Sequence, residues 1–83
     1  MKVYVFTHHC AACCEFLGVE NKVFKNKEDA LKKFREWREE ELEYVNRNGW
    51  VIGTDDIDGH FEAYEDGDYC CSHTEGFVNE YEI

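Results

Sequence analysis

All five cysteines and three of the four histidines fall in two short segments, His8-His9-Cys10-Ala11-Ala12-Cys13-Cys14 and Cys70-Cys71-Ser72-His73. The Cys10-x-x-Cys13 spacing lets two thiolates on one turn reach a single zinc ion, and a second pair from Cys70, Cys71 and His73 would complete a tetrahedron. Such an ion would close a loop of roughly 60 residues, which would help a domain this small. The second segment lacks the two-residue gap of the first, and cysteines also serve as small buried apolar groups. Zinc on Cys10, Cys13, Cys70, Cys71 and His73 is therefore the cofactor to test, against an expectation of none.

Cys10-x-x-Cys13 directly after a strand pattern also resembles the redox motif of thioredoxin-like proteins, including glutaredoxins. Those folds place a cis-proline against the thiols, and this chain contains no proline. Gly18 and a strand also stand where a long helix should follow. A thiol oxidoreductase using Cys10 and Cys13 is the enzymatic alternative to a chain expected not to be an enzyme. Residues 54–65 resemble an EF-hand loop, with oxygens at the third, fifth and twelfth places and Gly59 at the sixth. Thr54 stands at the first place and neither flank reads as helix, so a turn is expected.

Charge limits the partner. The chain carries a net charge of −10, with all nine Lys/Arg before Asn48. Ten of its nineteen acids follow Asn48: Asp55, Asp56, Asp58, Glu62, Glu65, Asp66, Asp68, Glu75, Glu80 and Glu82. A surface of that sign repels phosphate backbones, so direct nucleic-acid binding is disfavoured and a basic protein surface is favoured. The acidic binding surface expected is Asp55, Asp56, Asp58, Glu62, Glu65, Asp66 and Asp68. Ordinary solubility is the competing explanation.

The elements that must position these groups begin with a helix over residues 26–47. Asn26 suits an N-cap and Asp29 can reach back to it, while Glu28 and Asp29 favour the positive end of the helix dipole. Ala30, Leu31, Phe34, Trp37, Leu42 and Val45 fall in an arc of about 140° at 100° per residue. Asn48-Gly49 supplies a left-handed stop. Arg38 and Glu41 share the arc and read as rim residues with packed stems.

Strands are expected at residues 2–8, 19–25, 50–52, 60–65, 68–71 and 77–83, with a short helical turn within 11–17. Asp58-Gly59 and Asp66-Gly67 are turn signals. The result is one α+β domain, residues 1–83, with a four- to five-stranded antiparallel sheet and one long helix packed on one face (ββαβββ). The other face would be wet or covered by a partner, with Tyr64, Tyr69 and Tyr81 on it. With two Trp, five Tyr and six Phe, the core should be built of large rings. No apolar run approaches the roughly 20 residues of a membrane span, and no leader pattern opens the chain, so a cytoplasmic location is expected.

The strand at Lys2 to Thr7, the helix start Phe24 to Phe34, the hairpin Tyr64-Glu65-Asp66-Gly67-Asp68-Tyr69 and the final strand Val78 to Ile83 resemble a loose group of small, mostly uncharacterised bacterial and phage-encoded ββαβββ proteins. The cysteine-rich segment has no counterpart in that pattern. The expected function is a non-enzymatic binding protein that inhibits or modulates a basic, nucleic-acid-handling host protein in the manner of an anti-CRISPR or DNA mimic. The alternative is a small Cys/His zinc-binding domain. A monomer or a sheet-edge dimer fits either.

Overall fold

A computed structural model describes residues 1–12, 15–65 and 72–83, with the side chains of 12 and 15–17 excepted. The chain forms β1 (Lys2–Ala12), β2 (Glu15–Phe24), α1 (Lys27–Asn48), β3 (Val51–Asp56), β4 (His60–Tyr64) and β5 (His73–Glu82). The five strands make one antiparallel sheet in the order β2-β1-β5-β4-β3, so the last strand lies between the two hairpins. This is the α+β, ββαβββ arrangement expected.

Four boundaries differ from expectation. Residues 11 and 12 extend β1, where a helical turn was expected, and β2 already runs from Glu15. The hairpin absorbs Leu17 and Gly18 through a bulge, with Cys10 opposite Gly18 and Ala11 opposite Phe16. Gly18 takes φ +125° there, a conformation that favours glycine. β3 continues through Thr54, Asp55 and Asp56, and β5 starts at His73 instead of Phe77. The expected strand at 68–71 lies outside the described residues.

The helix ends are local chemistry. Asn26 has the extended cap conformation, but its side chain donates to Asp29 Oδ2 at 3.3 Å and caps no backbone amide. Gly49 sits in the left-handed region at φ 68°, and its N–H returns to Val45 O. That is the stop Asn48-Gly49 signalled.

The apolar stripe of α1 lies on the even-numbered face of β1. Phe6, Phe34, Val45, Phe61 and Ala63 are buried, with Phe24, Trp37, Leu42, Trp50 and Val78 packed around them. Phe6 meets Phe34 edge-on at 5.9 Å and Trp37 at 5.7 Å, and Trp37 meets Phe61 at 5.9 Å. Burying one such ring stabilises by roughly 1.5–3 kcal/mol. Among the described residues no helix is long and apolar enough to cross a membrane.

Arg38 and Glu41 do not pair with each other. Each ties the helix to the sheet. Arg38 grips Asp55 with two hydrogen bonds, Nε to Oδ1 at 2.6 Å and Nη2 to Oδ2 at 2.7 Å. The buried Thr74 hydroxyl donates to Glu41 Oε1 at 2.6 Å. The Arg38 hydrogen bonds hold the Asp55 carboxyl below its usual range, against a smaller opposing push from burial. A carboxyl depressed on folding stabilises above its unfolded pKa, and that contribution is lost as pH falls through its folded pKa. Asp55→Asn is therefore expected to cost about 1 kcal/mol at pH 7, after allowance for solvent screening of a bidentate pair. The gap between wild type and variant should close below pH 4 in urea titrations. A gap of constant size from pH 7 to pH 3 would refute the pairing.

Candidate functional site

The faces of the sheet are chemically different. Pairing registers place Phe6, His8, Cys10, Glu20, Lys22, Phe61, Ala63, Thr74, Gly76 and Val78 on the helix side. The opposite, open face carries Val5, Thr7, His9, Val19, Asn21, Val23, His60, Glu62, Tyr64, His73, Glu75, Phe77 and Tyr81. Among the described strand residues, Lys2 and Lys22 are the lysines, and both fall on the helix side; no strand carries an arginine.

In the middle of the open face, Glu75 on β5 lies between two imidazoles. His9 Nε2 on β1 stands 3.2 Å from Glu75 Oε1, and His60 Nε2 on β4 stands 2.7 Å from Glu75 Oε2. Each imidazole donates from Nε2, which suits the neutral Nε2–H tautomer or the imidazolium. Partial burial pushes the Glu75 carboxyl up, and the hydrogen bonds from His60 and His9 outweigh it, holding it below the ordinary carboxylate range. His73 adds a third ring, edge-on to His9 at 5.4 Å, and Phe77 stands edge-on to His60 at 6.3 Å. The row joins residues 66 apart in the chain. Reading His73 to Phe77 as an alternating strand would have placed Glu75 and His73 on one face, and no sequence signal pairs them with His9 and His60.

The metal candidates divide. Cys10 projects toward the helix, where burial, and next the Glu41 carboxylate, push its thiol above the usual value. His73 projects from the open face, so Cys10 and His73 cannot ligate one ion across the sheet. Cys13, Cys70 and Cys71 lie outside the described residues. Among the described residues no group of three His, Cys, Asp or Glu is placed to hold a metal ion. A raised thiol pKa is the reverse of nucleophile activation, so for Cys10 the direction is that of a structural cysteine.

The acidic set also divides. Asp55 faces the helix and is held by Arg38. Asp58 lies in the β3–β4 turn, 3.6 Å from Arg35. Asp56 accepts the Asp58 N–H at 2.9 Å, which with the Gly59 N–H on Asp56 O at 3.1 Å builds the expected turn. Glu62 is half-buried on the open face, and Glu65 is exposed at the end of β4. Asp66 and Asp68 lie outside the described residues. Elsewhere Glu80 meets Lys2 at 3.5 Å. Of the described acids, Asp55, Asp58 and Glu80 thus meet an arginine or a lysine from the first half, Asp56 lies at the turn, and Glu62 is on the open face.

A groove of about 240 Å³ between α1 and β2 is lined by charges of both signs, including Lys33, Glu36, Glu40, Glu20 and Lys22. Its size falls below the usual range for small-molecule sites. Comparison with protein-family models, curated proteins and solved structures finds no match to this chain, so the reading of this face stands on its own geometry.

Proposed function

We propose that this chain is a non-enzymatic binding protein that receives a basic protein surface on the open face of its sheet. The observation that carries this reading is the composition of that face. Asp56, Glu62 and Glu75 lie on or beside it, lysine and arginine are missing from its described strand positions, and half-buried Val5, Phe77 and Tyr64 surround the carboxylates. Half-buried apolar groups beside carboxylates favour a partner that brings Lys or Arg heads on apolar stems. The reading favours the face over the acidic hairpins, where Arg35 and Arg38 already meet Asp58 and Asp55.

The test is affinity capture from the native cell with three immobilised forms. Wild type should capture a basic protein whose retention falls as salt rises from roughly 50 to 300 mM, a range over which exposed charges are progressively screened. Glu62→Lys with Glu75→Gln should lose that protein at least tenfold. Glu39→Lys with Glu43→Lys, on the outer face of α1, should keep it. Capture indifferent to salt, or lost only in the helix variant, would overturn the reading.

A further inference from the structure

The two edges of the sheet are built in opposite ways. β3 is closed to pairing. A bulge at Gly53 interrupts its register between Ile52 and Thr54, and Asp55-Asp56 would set acids of two copies into one short ladder. β2 has neither device in its regular part. Residues 18–24 pair with β1 without interruption, from the bulge to the helix start. Antiparallel geometry then leaves alternate N–H and C=O groups of this stretch pointing away from β1.

The order of residues on that edge is self-complementary. Residues 18–24 read Gly-Val-Glu-Asn-Lys-Val-Phe, and Asn21 is their midpoint. A two-fold axis through Asn21 sets Glu20 against the partner's Lys22 and Lys22 against the partner's Glu20, both on the helix side. On the open side it sets Val19 against the partner's Val23, Val23 against the partner's Val19, and Asn21 against the partner's Asn21. Val19 and Val23 are 47% and 66% exposed, which is high for β-branched residues on a strand. Cross-strand pairs of opposite charge and of β-branched residues are the kinds that stabilise a ladder.

From this pattern we infer that β2 is the homodimerisation edge, pairing antiparallel with β2 of a second copy about Asn21 to make a ten-stranded sheet. The occupant follows from charge. The chain carries −10, yet residues 18–24 hold one acid and one base, and β2 is the edge farthest from the acid-rich β3. Two copies can therefore meet there with little repulsion. Val5, opposite Val23 on β1, continues the valine stripe inward, so the joined open faces share an apolar seam flanked by two Glu75 rows. A C₂ contact of this kind is isologous and closes on itself, with no unpaired β2 left over.

Sedimentation equilibrium of the full chain tests the inference without any partner. Wild type should sediment as a dimer of the 9.9 kDa chain. Lys22→Glu and Glu20→Lys alone each set like charges opposite one another at both ends and should weaken association at least about tenfold. The double exchange, Glu20→Lys with Lys22→Glu, recreates both pairs and should restore the dimer. Both residues are exposed, and circular dichroism of each variant checks that the sheet is intact. A wild type that stays at 9.9 kDa at every concentration, a Lys22→Glu dimer as tight as wild type, or a double exchange that remains monomeric would each overturn the proposal.

Discussion

Replacing Phe6 by alanine is expected to destabilise the fold by about 3–5 kcal/mol, the range for emptying a fully buried aromatic site. Phe6 is 1% exposed and sits on β1, paired on one side with β2 and on the other with β5. Its ring touches Phe34 and Trp37 from the helix and stacks on His8 at 5.1 Å. The void would open where the helix crosses the sheet, among rigid rings that cannot close over it. A domain of this length has a stability of about 4–12 kcal/mol, so this one change removes a large part of it. The midpoint of urea unfolding, followed by far-ultraviolet circular dichroism, should fall accordingly, and Tm by more than about 10 °C. A loss under about 1 kcal/mol would mean that the ring is not buried as described.

The second large effect comes from adding atoms. A Cβ built on Gly76 would lie 2.4 Å from Trp37 Cζ3, 2.5 Å from Cη2 and 3.0 Å from Cε3. An indole ring cannot bend aside, so the helix or the ring must move. Positive φ is confined to Gly18, Gly49 and Gly59 among the described glycines, and the cost at Gly76 is therefore packing. Gly76→Ala is expected to lose about 1–3 kcal/mol, as overpacked cores do. In a Trp37→Leu background the same change should cost less by at least about 0.5 kcal/mol, because the contacting ring is gone. Equal cost in both backgrounds would show that the ring is not the cause.

The helix was legible because its apolar stripe recurs from Ala30 to Val45, with only Arg38 and Glu41 sharing the arc, and both ends carry local signals. Strands were legible only where one face is apolar. His9 and Cys10, Thr54 to Asp56 and His73 to Gly76 read as connections, and Ala11 and Ala12 as part of a helical turn, because their residues are polar or small, yet each is strand. His9 and Glu75 can sit in strands because they hydrogen-bond one another across β1 and β5, and His60 of β4 donates to Glu75 as well. Asp55 can do so because Arg38, seventeen residues earlier, neutralises it. Gly76, which precedes the strand expected at 77–83, is a seat for the Trp37 ring. The acidic tail was visible in composition, but which carboxylates are spoken for depends on Arg38 and Arg35 of α1 reaching Asp55 on β3 and Asp58 in the turn after it. The Glu75 row depended on knowing that β5 enters between β1 and β4, which no spacing along the chain discloses.

That insertion sets the order in which the molecule can be assembled. The two hairpins share no ladder until β5 arrives, and β5 follows both of them in the chain. During synthesis the earlier segments must wait as half-covered pieces, with Phe6 and Phe61 linked only through Trp37 of α1 until β5 emerges. Completion therefore happens late and in one cooperative step, and the waiting chain is most exposed to misassociation in the interval before the keystone strand is threaded home.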